Sequence, residues 1–189
     1  MEEDIRLVRL TLQGSRLAFR QLVERYQNFV FTITYRVLRS REEAEEAAQD
    51  VFVKVHKTLA SFEQKSKFST WLYTIAYRTA IDANRRKNND TRSLDDSEVF
   101  LQVEDTRTAS PVAVLQNMDL QEALQEAILK LKPEDATIVT LFYLNEKPIK
   151  EISEITRLTE TNIKTRLFRV REALKHHLTP FWESERGGG

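Results

Sequence analysis

From residue 19 to residue 37, apolar side chains recur at helical steps: Phe19, Leu22, Val23, Tyr26, Val30, Ile33 and Val37. That period places them on one stripe of a long α-helix with a polar opposite face. A shorter helical stretch precedes it over residues 4–12. Gly14 ends that stretch and Ser15 caps the next. Arg39-Ser40-Arg41 breaks the pattern, and a third helix follows from Glu42 with Ala44, Ala47, Ala48, Val51, Val55 and Leu59 inward. Residues 62–68 form a basic loop bounded by Phe62 and Phe68. Ser69, a good N-cap, predicts a helix from there onward. Leu72, Ile75, Ala76, Thr79 and Ala83 share its core face; Tyr73, Tyr77, Ala80 and Asn84 share a second face. Arg78, Arg85, Arg86 and Lys87 crowd the far end.

Residues 91–117 change character. They are polar and acidic, include Ser110-Pro111, and hold no sustained period, which predicts a linker. Val99, Phe100, Leu101 and Val103 interrupt it as a segment able to dock. From Met118 the helical period resumes to about Leu131. A second helix opens at Pro133-Glu134-Asp135, as a proline and acids in a first turn predict, and runs to about Leu144. Pro148 opens a third, with Ile149, Ile152 and Ile155 inward. Arg157-Leu158 is a tight turn, Thr159 caps a long helix from Glu160 to about His177, and Pro180 stops it. Ile163, Leu167, Val170 and Leu174 form its buried stripe. The last pair has the spacing of a helix-turn-helix.

The expected fold is therefore all-α: two small helical domains, residues 1–90 and 118–180, joined by a flexible acidic linker over 91–117. Residues 181–189 form a tail ending in Gly187–Gly189, which reads as a flexible end or an expression scar. With 41% hydrophobic residues in 189, the chain can bury one modest core or two small ones. It has no cysteine, so disulfides and thiolate metal sites are excluded and a reducing compartment suits it. The N-terminus lacks the apolar run of a signal peptide, and no segment is long enough to span a membrane. A cytoplasmic protein without membrane insertion is expected.

Formal net charge is zero, yet its placement is uneven. Residues 1–90 carry sixteen Lys/Arg against twelve Asp/Glu, and 91–117 carry two against five. Local patches decide nucleic-acid binding, not the total. Aromatic rings interleaved with Lys and Arg over 62–88 suit unstacked bases, which stack on rings while cations hold the backbone. The second helix of the helix-turn-helix exposes Thr161, Asn162, Lys164, Thr165 and Arg169, side chains able to reach base edges or phosphates in a major groove. Glu42, Glu43, Glu45, Glu46 and Asp50 exceed what helix capping requires and offer a docking surface to a basic partner. An enzyme built on these carboxylates and His56 is disfavoured: no Glu-x-x-His or His-x-x-x-His pair exists. The adjacent His176 and His177 lie at a helix end that favours cations anyway. No catalytic residue, metal or cofactor is expected.

Four stretches carry a resemblance. They are Ala18-Phe19-Arg20-Gln21-Leu22-Val23-Glu24-Arg25-Tyr26, Glu43-Ala44-Glu45-Glu46-Ala47-Ala48-Gln49-Asp50-Val51-Phe52, Phe68-Ser69-Thr70-Trp71-Leu72-Tyr73-Thr74-Ile75-Ala76 and Ile163-Lys164-Thr165-Arg166-Leu167-Phe168-Arg169-Val170-Arg171-Glu172-Ala173-Leu174. In this order and spacing the chain resembles the extracytoplasmic-function (ECF, group 4) sigma factors of bacterial RNA polymerase, in the sigma-70 family. The resemblance implies region 2 over 1–90, which binds the polymerase clamp helices and opens the promoter −10 element. It implies region 4 over 118–180, which binds the flap and reads the −35 element. Carried over residue by residue, Glu46, Gln49, Asp50 and Phe52 form the core-polymerase surface. Phe62, Lys65, Lys67, Phe68, Trp71, Tyr77, Arg78, Asn84 and Arg85 form the −10 surface, and Thr161, Asn162, Lys164, Thr165, Arg166, Phe168 and Arg169 the −35 surface. Implied partners are the polymerase core, promoter DNA and an anti-sigma factor. The chain has no room for the middle domain or N-terminal extension of larger relatives, as expected for the ECF group.

Two positions depart from the family pattern. Arg157 stands where the turn usually has a left-handed glycine, at a cost of about 1 kcal/mol. Ser153 replaces a small apolar residue. A free-standing helix-turn-helix regulator would explain residues 118–178 but not the first ninety.

Overall fold

The computed structural model describes the backbone of residues 2–90 and 118–186, and the side chains of residues 2–87 and 124–175. The expected linker with its apolar segment, His176, His177 and the glycine tail fall outside those described residues or side chains. Among the described residues the chain forms eight α-helices.

The first four follow the sequence signals closely. α1 (Glu2–Leu12) ends before Gly14, whose φ of 94° is a conformation that costs glycine little. Ser15 then caps α2 (Arg16–Leu38), its hydroxyl accepting from the Ala18 N–H at 3.2 Å. Arg39 ends α2 in the left-handed region at φ 60°, its N–H returning to the Tyr35 carbonyl at 2.9 Å. Ser40 caps α3 (Arg41–Thr58) by accepting from the Glu43 N–H. After a 3-10 turn (Leu59–Ser61) and the 62–67 loop comes α4 (Phe68–Asp90). It starts at Phe68 rather than beyond Ser69: the Trp71 N–H already bonds the Lys67 carbonyl at 3.1 Å, which puts Ser69 inside the first turn. Val30, Ile33, Ala44, Val51, Leu72, Ala76 and Ala80 are sealed in the centre of this group.

The second group is α5 (Met118–Lys130), α6 (Pro133–Val139), α7 (Ile149–Thr156) and α8 (Glu160–Arg186). α6 does not run to Leu144 as a regular helix. It widens into a π turn over Thr140–Leu144, closed by a bond from the Lys147 N–H to the Leu141 carbonyl at 2.9 Å. α8 continues through Pro180 to Arg186, contrary to the expected stop. A proline removes one backbone hydrogen bond and strains one carbonyl contact, and the helix on either side carries on past it. Ile128, Ala136, Ile138, Leu141, Ile152, Ile155 and Ile163 form the inner layer.

The two groups touch. α4 packs on α7 and α2 packs on α6, so that buried residues of both belong to one continuous cluster. Tyr73 also meets Phe29 and Tyr26 of α2 at 4.2 and 6.1 Å, so Tyr73 and Tyr77, expected on an open second face, are only 6% and 7% exposed. A helix flanked on two sides has no wet aromatic face.

Candidate nucleic-acid and polymerase interfaces

The acidic surface lies on α3. Inward Ala44, Ala47, Val51 and Val55 fix the helix against the core and leave Glu46, Gln49 and Asp50 exposed. Part of the acidity is spent within the protein: Glu45 pairs with Arg41 at 2.8 Å and Glu43 with Lys87 at 2.7 Å. Glu46 and Asp50 stand outside those pairs, along a groove between α3 and α4 that Lys54, Asp82 and Arg86 also line. Phe52 is half-buried and packs against the core, so only part of the side chain is open to a partner.

The loop before α4 is built on an aromatic cluster. Phe62 and Phe68 are 8% and 2% exposed, with ring centroids 5.6 Å apart, edge to face. Trp71 lies 5.3 Å from Phe62 and 5.9 Å from Phe68, and Tyr26 of α2 meets Phe68 at 5.6 Å. These rings hold the loop to the core. Its outer rim is polar: Glu63, Gln64 in the left-handed region at φ 57°, and Lys65, which pairs with Glu63. An open cleft lined by Arg6 and Arg9 of α1, with Gln64, Ser66 and Lys67 of the loop, runs beside that rim.

Along α4, Arg78 and Arg85 are exposed, Asn84 half-buried and Tyr77 buried. Burial, with the charge of Glu134 beside it, pushes the Tyr77 phenol up to about 12. Lys67 is bound to Glu151 of α7, and the Thr70 hydroxyl donates to the same carboxylate at 3.1 Å. Burial alone would raise Glu151, but those two hydrogen bonds and the charge of Lys147 hold it below the usual carboxylate range. Neither Glu151 nor Thr70 carries a sequence signal of its own.

The helix-turn-helix is formed without glycine. Arg157 takes the left-handed position at φ 62° and ψ 20°. Its N–H bonds the Ser153 carbonyl at 2.8 Å, the Ser153 hydroxyl donates to the Leu158 carbonyl at 2.6 Å, and the Leu158 N–H reaches the Thr156 hydroxyl. The departure at Ser153 therefore compensates the departure at Arg157. Thr159 caps α8, accepting from the Asn162 N–H at 3.2 Å. Thr161, Asn162, Lys164, Thr165 and Arg169 form one exposed face, with Phe168 half-buried at its edge.

Arg166 is turned from that face towards the start of α6, pairing with Asp135 at 2.8 Å and Glu134 at 3.0 Å. Burial acts to lower its pKa, yet the bond to Asp135 and the charges of both acids hold it above its ordinary value. Arg36, which the sequence reading passed over, is buried between the two groups. It donates to the Thr140 hydroxyl at 3.1 Å and to the Gln125 side-chain oxygen. Among the described residues no cluster of His, Cys, Asp and Glu could hold a metal ion, and no helix is long and apolar enough to cross a membrane.

The described helices coincide with two known family models, Sigma-70 region 2 over residues 22–89 and Sigma-70, region 4 over residues 121–174. The ECF RNA polymerase sigma factor SigW of Bacillus subtilis is 33% identical over 172 residues, spanning 88% of this chain and 91% of that protein. The ECF RNA polymerase sigma-E factor of Haemophilus influenzae is 31% identical over 184 residues, spanning 94% and 96%. The fold is also that of the sigma factor RpoE of Bartonella quintana, solved in complex with the anti-sigma factor NepR. That match has a TM-score of 0.66 at 21% identity, over 85% of this chain and 96% of that one. Two region models in order, and relatives of this identity along nearly their whole length, place the chain in the ECF group of the sigma-70 family of RNA polymerase sigma factors.

Proposed function

We propose that this sigma factor divides its work among three surfaces. Exposed Glu46, Gln49 and Asp50 on α3 receive the basic side of the polymerase clamp helices. The 62–68 loop and α4 take the −10 element, with Lys65, Arg78, Asn84 and Arg85 along the strand and the packed rings of Phe62, Phe68 and Trp71 shaping the loop. Thr161, Asn162, Lys164, Thr165 and Arg169 on α8 read the −35 duplex. α5–α8 also meet the polymerase flap, an anti-sigma factor holds the chain until its signal arrives, and the chain acts in the cytoplasm as an initiation factor rather than an enzyme.

The observation that carries this reading is the exposed, capped face of α8, whose polar and cationic side chains project at helical spacing from a packed helix-turn-helix. Arg166 belongs with the scaffold: its ion pairs orient α8 on α6.

The test is transcription in vitro with purified core polymerase, the full chain and a library of genomic promoter fragments. The expected result is a set of transcripts with shared upstream −10 and −35 sequences, lost when Lys164→Ala or Arg169→Ala is used. No chain-dependent transcript, or tight sequence-specific DNA binding at physiological salt without polymerase, would overturn it.

A further inference from the structure

α1 carries two arginines that its packing does not require. Its inner residues Leu7 and Val8 are each 2% exposed, and Ile5 packs against the same core. Glu3 and Asp4 both pair with Arg25, at 2.5 and 2.7 Å, and so fasten α1 to α2. Arg6 and Arg9 are exposed, and among the described residues neither takes an ion pair. Glu2, Ile5, Arg6 and Arg9 recur at steps of three, one and three, which puts them on one face of the helix.

That face forms one wall of an open cleft of about 550 Å³, and Gln64, Ser66 and Lys67 of the loop form the other. The volume is that of a site for a small organic group rather than for a bare ion. Both walls rest on buried residues: Leu7 and Val8 under α1, Phe62 and Phe68 under the loop. The charge of Lys67 is already met by Glu151. Arg6 and Arg9 are therefore the unmet charges of the cleft, opposed only by Glu2 among its lining residues. Guanidinium forks match phosphate oxygens two bonds at a time. Two of them at i and i+3, about 5–6 Å apart at Cβ, suit a chain of phosphates. A cleft of this volume admits a nucleotide of one strand and excludes a duplex.

We propose that α1 is a further nucleic-acid contact: a seat for the sugar–phosphate backbone of the unpaired strand where it passes beside the 62–68 loop. Arg6 and Arg9 grip phosphates, while Gln64 and Ser66 offer neutral hydrogen bonds from the opposite wall. The seat lies outside the Sigma-70 region 2 match, which begins at residue 22. It rests on the proposed role of the 62–68 loop in holding the opened −10 strand, and extends that role to a helix with none assigned.

The experiment titrates holoenzyme, made with the full chain, onto a fluorescein-labelled promoter pre-melted over the −10 element, at a series of salt concentrations. Each phosphate contact to a single strand contributes about 0.7 to the slope of log affinity against log salt. Arg6→Ala and Arg9→Ala should each flatten the slope by about 0.7 and the double variant by about 1.4, whereas Arg9→Lys should keep it. The Tm of the free chain should stay unchanged, because both side chains are exposed. Affinity for core polymerase without DNA should stay unchanged too. Lys65→Ala in the same titration separates the two claims. A flattened slope for Lys65→Ala with none for the arginine variants overturns the α1 seat and leaves the role of the loop standing. The reverse pattern supports the seat and removes the role of the loop. An unchanged slope in the double variant overturns the inference. So does a loss of core affinity without DNA, which would make the occupant of the cleft an acidic face of the polymerase.

Discussion

Phe68 separates a scaffolding role from a base-stacking one. The ring is 2% exposed and meets Tyr26, Phe62 and Trp71 at centroid distances of 5.6, 5.6 and 5.9 Å. Truncating such a ring to alanine removes its transfer free energy and leaves a cavity, together about 3–5 kcal/mol. For a chain of this size that corresponds to a fall in Tm of roughly 6–20 °C. Phe68→Leu conserves most of the volume and should lose less than about 1.5 kcal/mol. Lys65→Ala, on the exposed rim of the same loop, should stay within about 0.5 kcal/mol of the parent. The assay is thermal and urea unfolding followed by far-ultraviolet circular dichroism, paired with promoter opening per folded molecule. The expected pattern is a large stability loss for Phe68→Ala and a modest one for Phe68→Leu, with opening in Phe68→Leu close to parental. A Phe68→Ala variant as stable as the parent but unable to open promoters would refute the packing argument and make the ring a stacking platform.

Charge reversal at Glu46 and Asp50 should weaken core-polymerase affinity at least tenfold while leaving Tm unchanged, since both side chains are exposed; pull-down and calorimetry decide it. Ser153→Ala removes the donor to the Leu158 carbonyl that steadies the non-glycine turn, and should cost about 1 kcal/mol, read as lowered protection from hydrogen exchange at the start of α8. The Tyr77 phenol, held at about 12 chiefly by burial, should titrate near 10, the ordinary value, in the urea-unfolded chain. Because the raised pKa means the folded state keeps the proton more firmly, the stability it confers is complete below about pH 10. It is lost as pH climbs towards 12, so folding stability should fall across that window. Ultraviolet difference spectra follow the titration.

Much of this architecture is legible in the residues. The stripes of α2, α3 and α8, the caps at Ser15 and Thr159 and the left-handed place of Arg157 are local events set by neighbours in sequence. What is not legible comes from contacts between distant segments. Tyr73 and Tyr77 read as an open face because periodicity within α4 carries no information about α2 and α7 packing against it. Phe62 and Phe68 look like stacking rings beside lysines, and only the fold shows Tyr26 and Trp71 closing around them. Arg166 sits in a run of residues expected to read the −35 element, and the acids that draw it away, Glu134 and Asp135, lie 32 and 31 residues earlier. Arg36 breaks an apolar stripe without a local cue to its burial. Glu151 looks like an ordinary first-turn acid, and its partners Lys67 and Thr70 are 84 and 81 residues away.

The division of labour between α8 and the α4 surface is tested most directly by transcription from two templates, an intact promoter and the same promoter pre-melted over the −10 element. In the proposed division Lys164 and Arg169 read the duplex, where a lost bidentate base contact costs roughly 1–3 kcal/mol of discrimination and a lost phosphate contact lowers the salt slope by about one. In the same proposal Lys65 and Arg85 hold the opened strand. Alanine at Lys164 or Arg169 should reduce output equally from both templates, because the duplex −35 contact is needed in each. Alanine at Lys65 or Arg85 should reduce output from the intact promoter and recover on the pre-melted one. Recovery of the Lys164 and Arg169 variants on the pre-melted template, to the same degree as the others, would contradict the account.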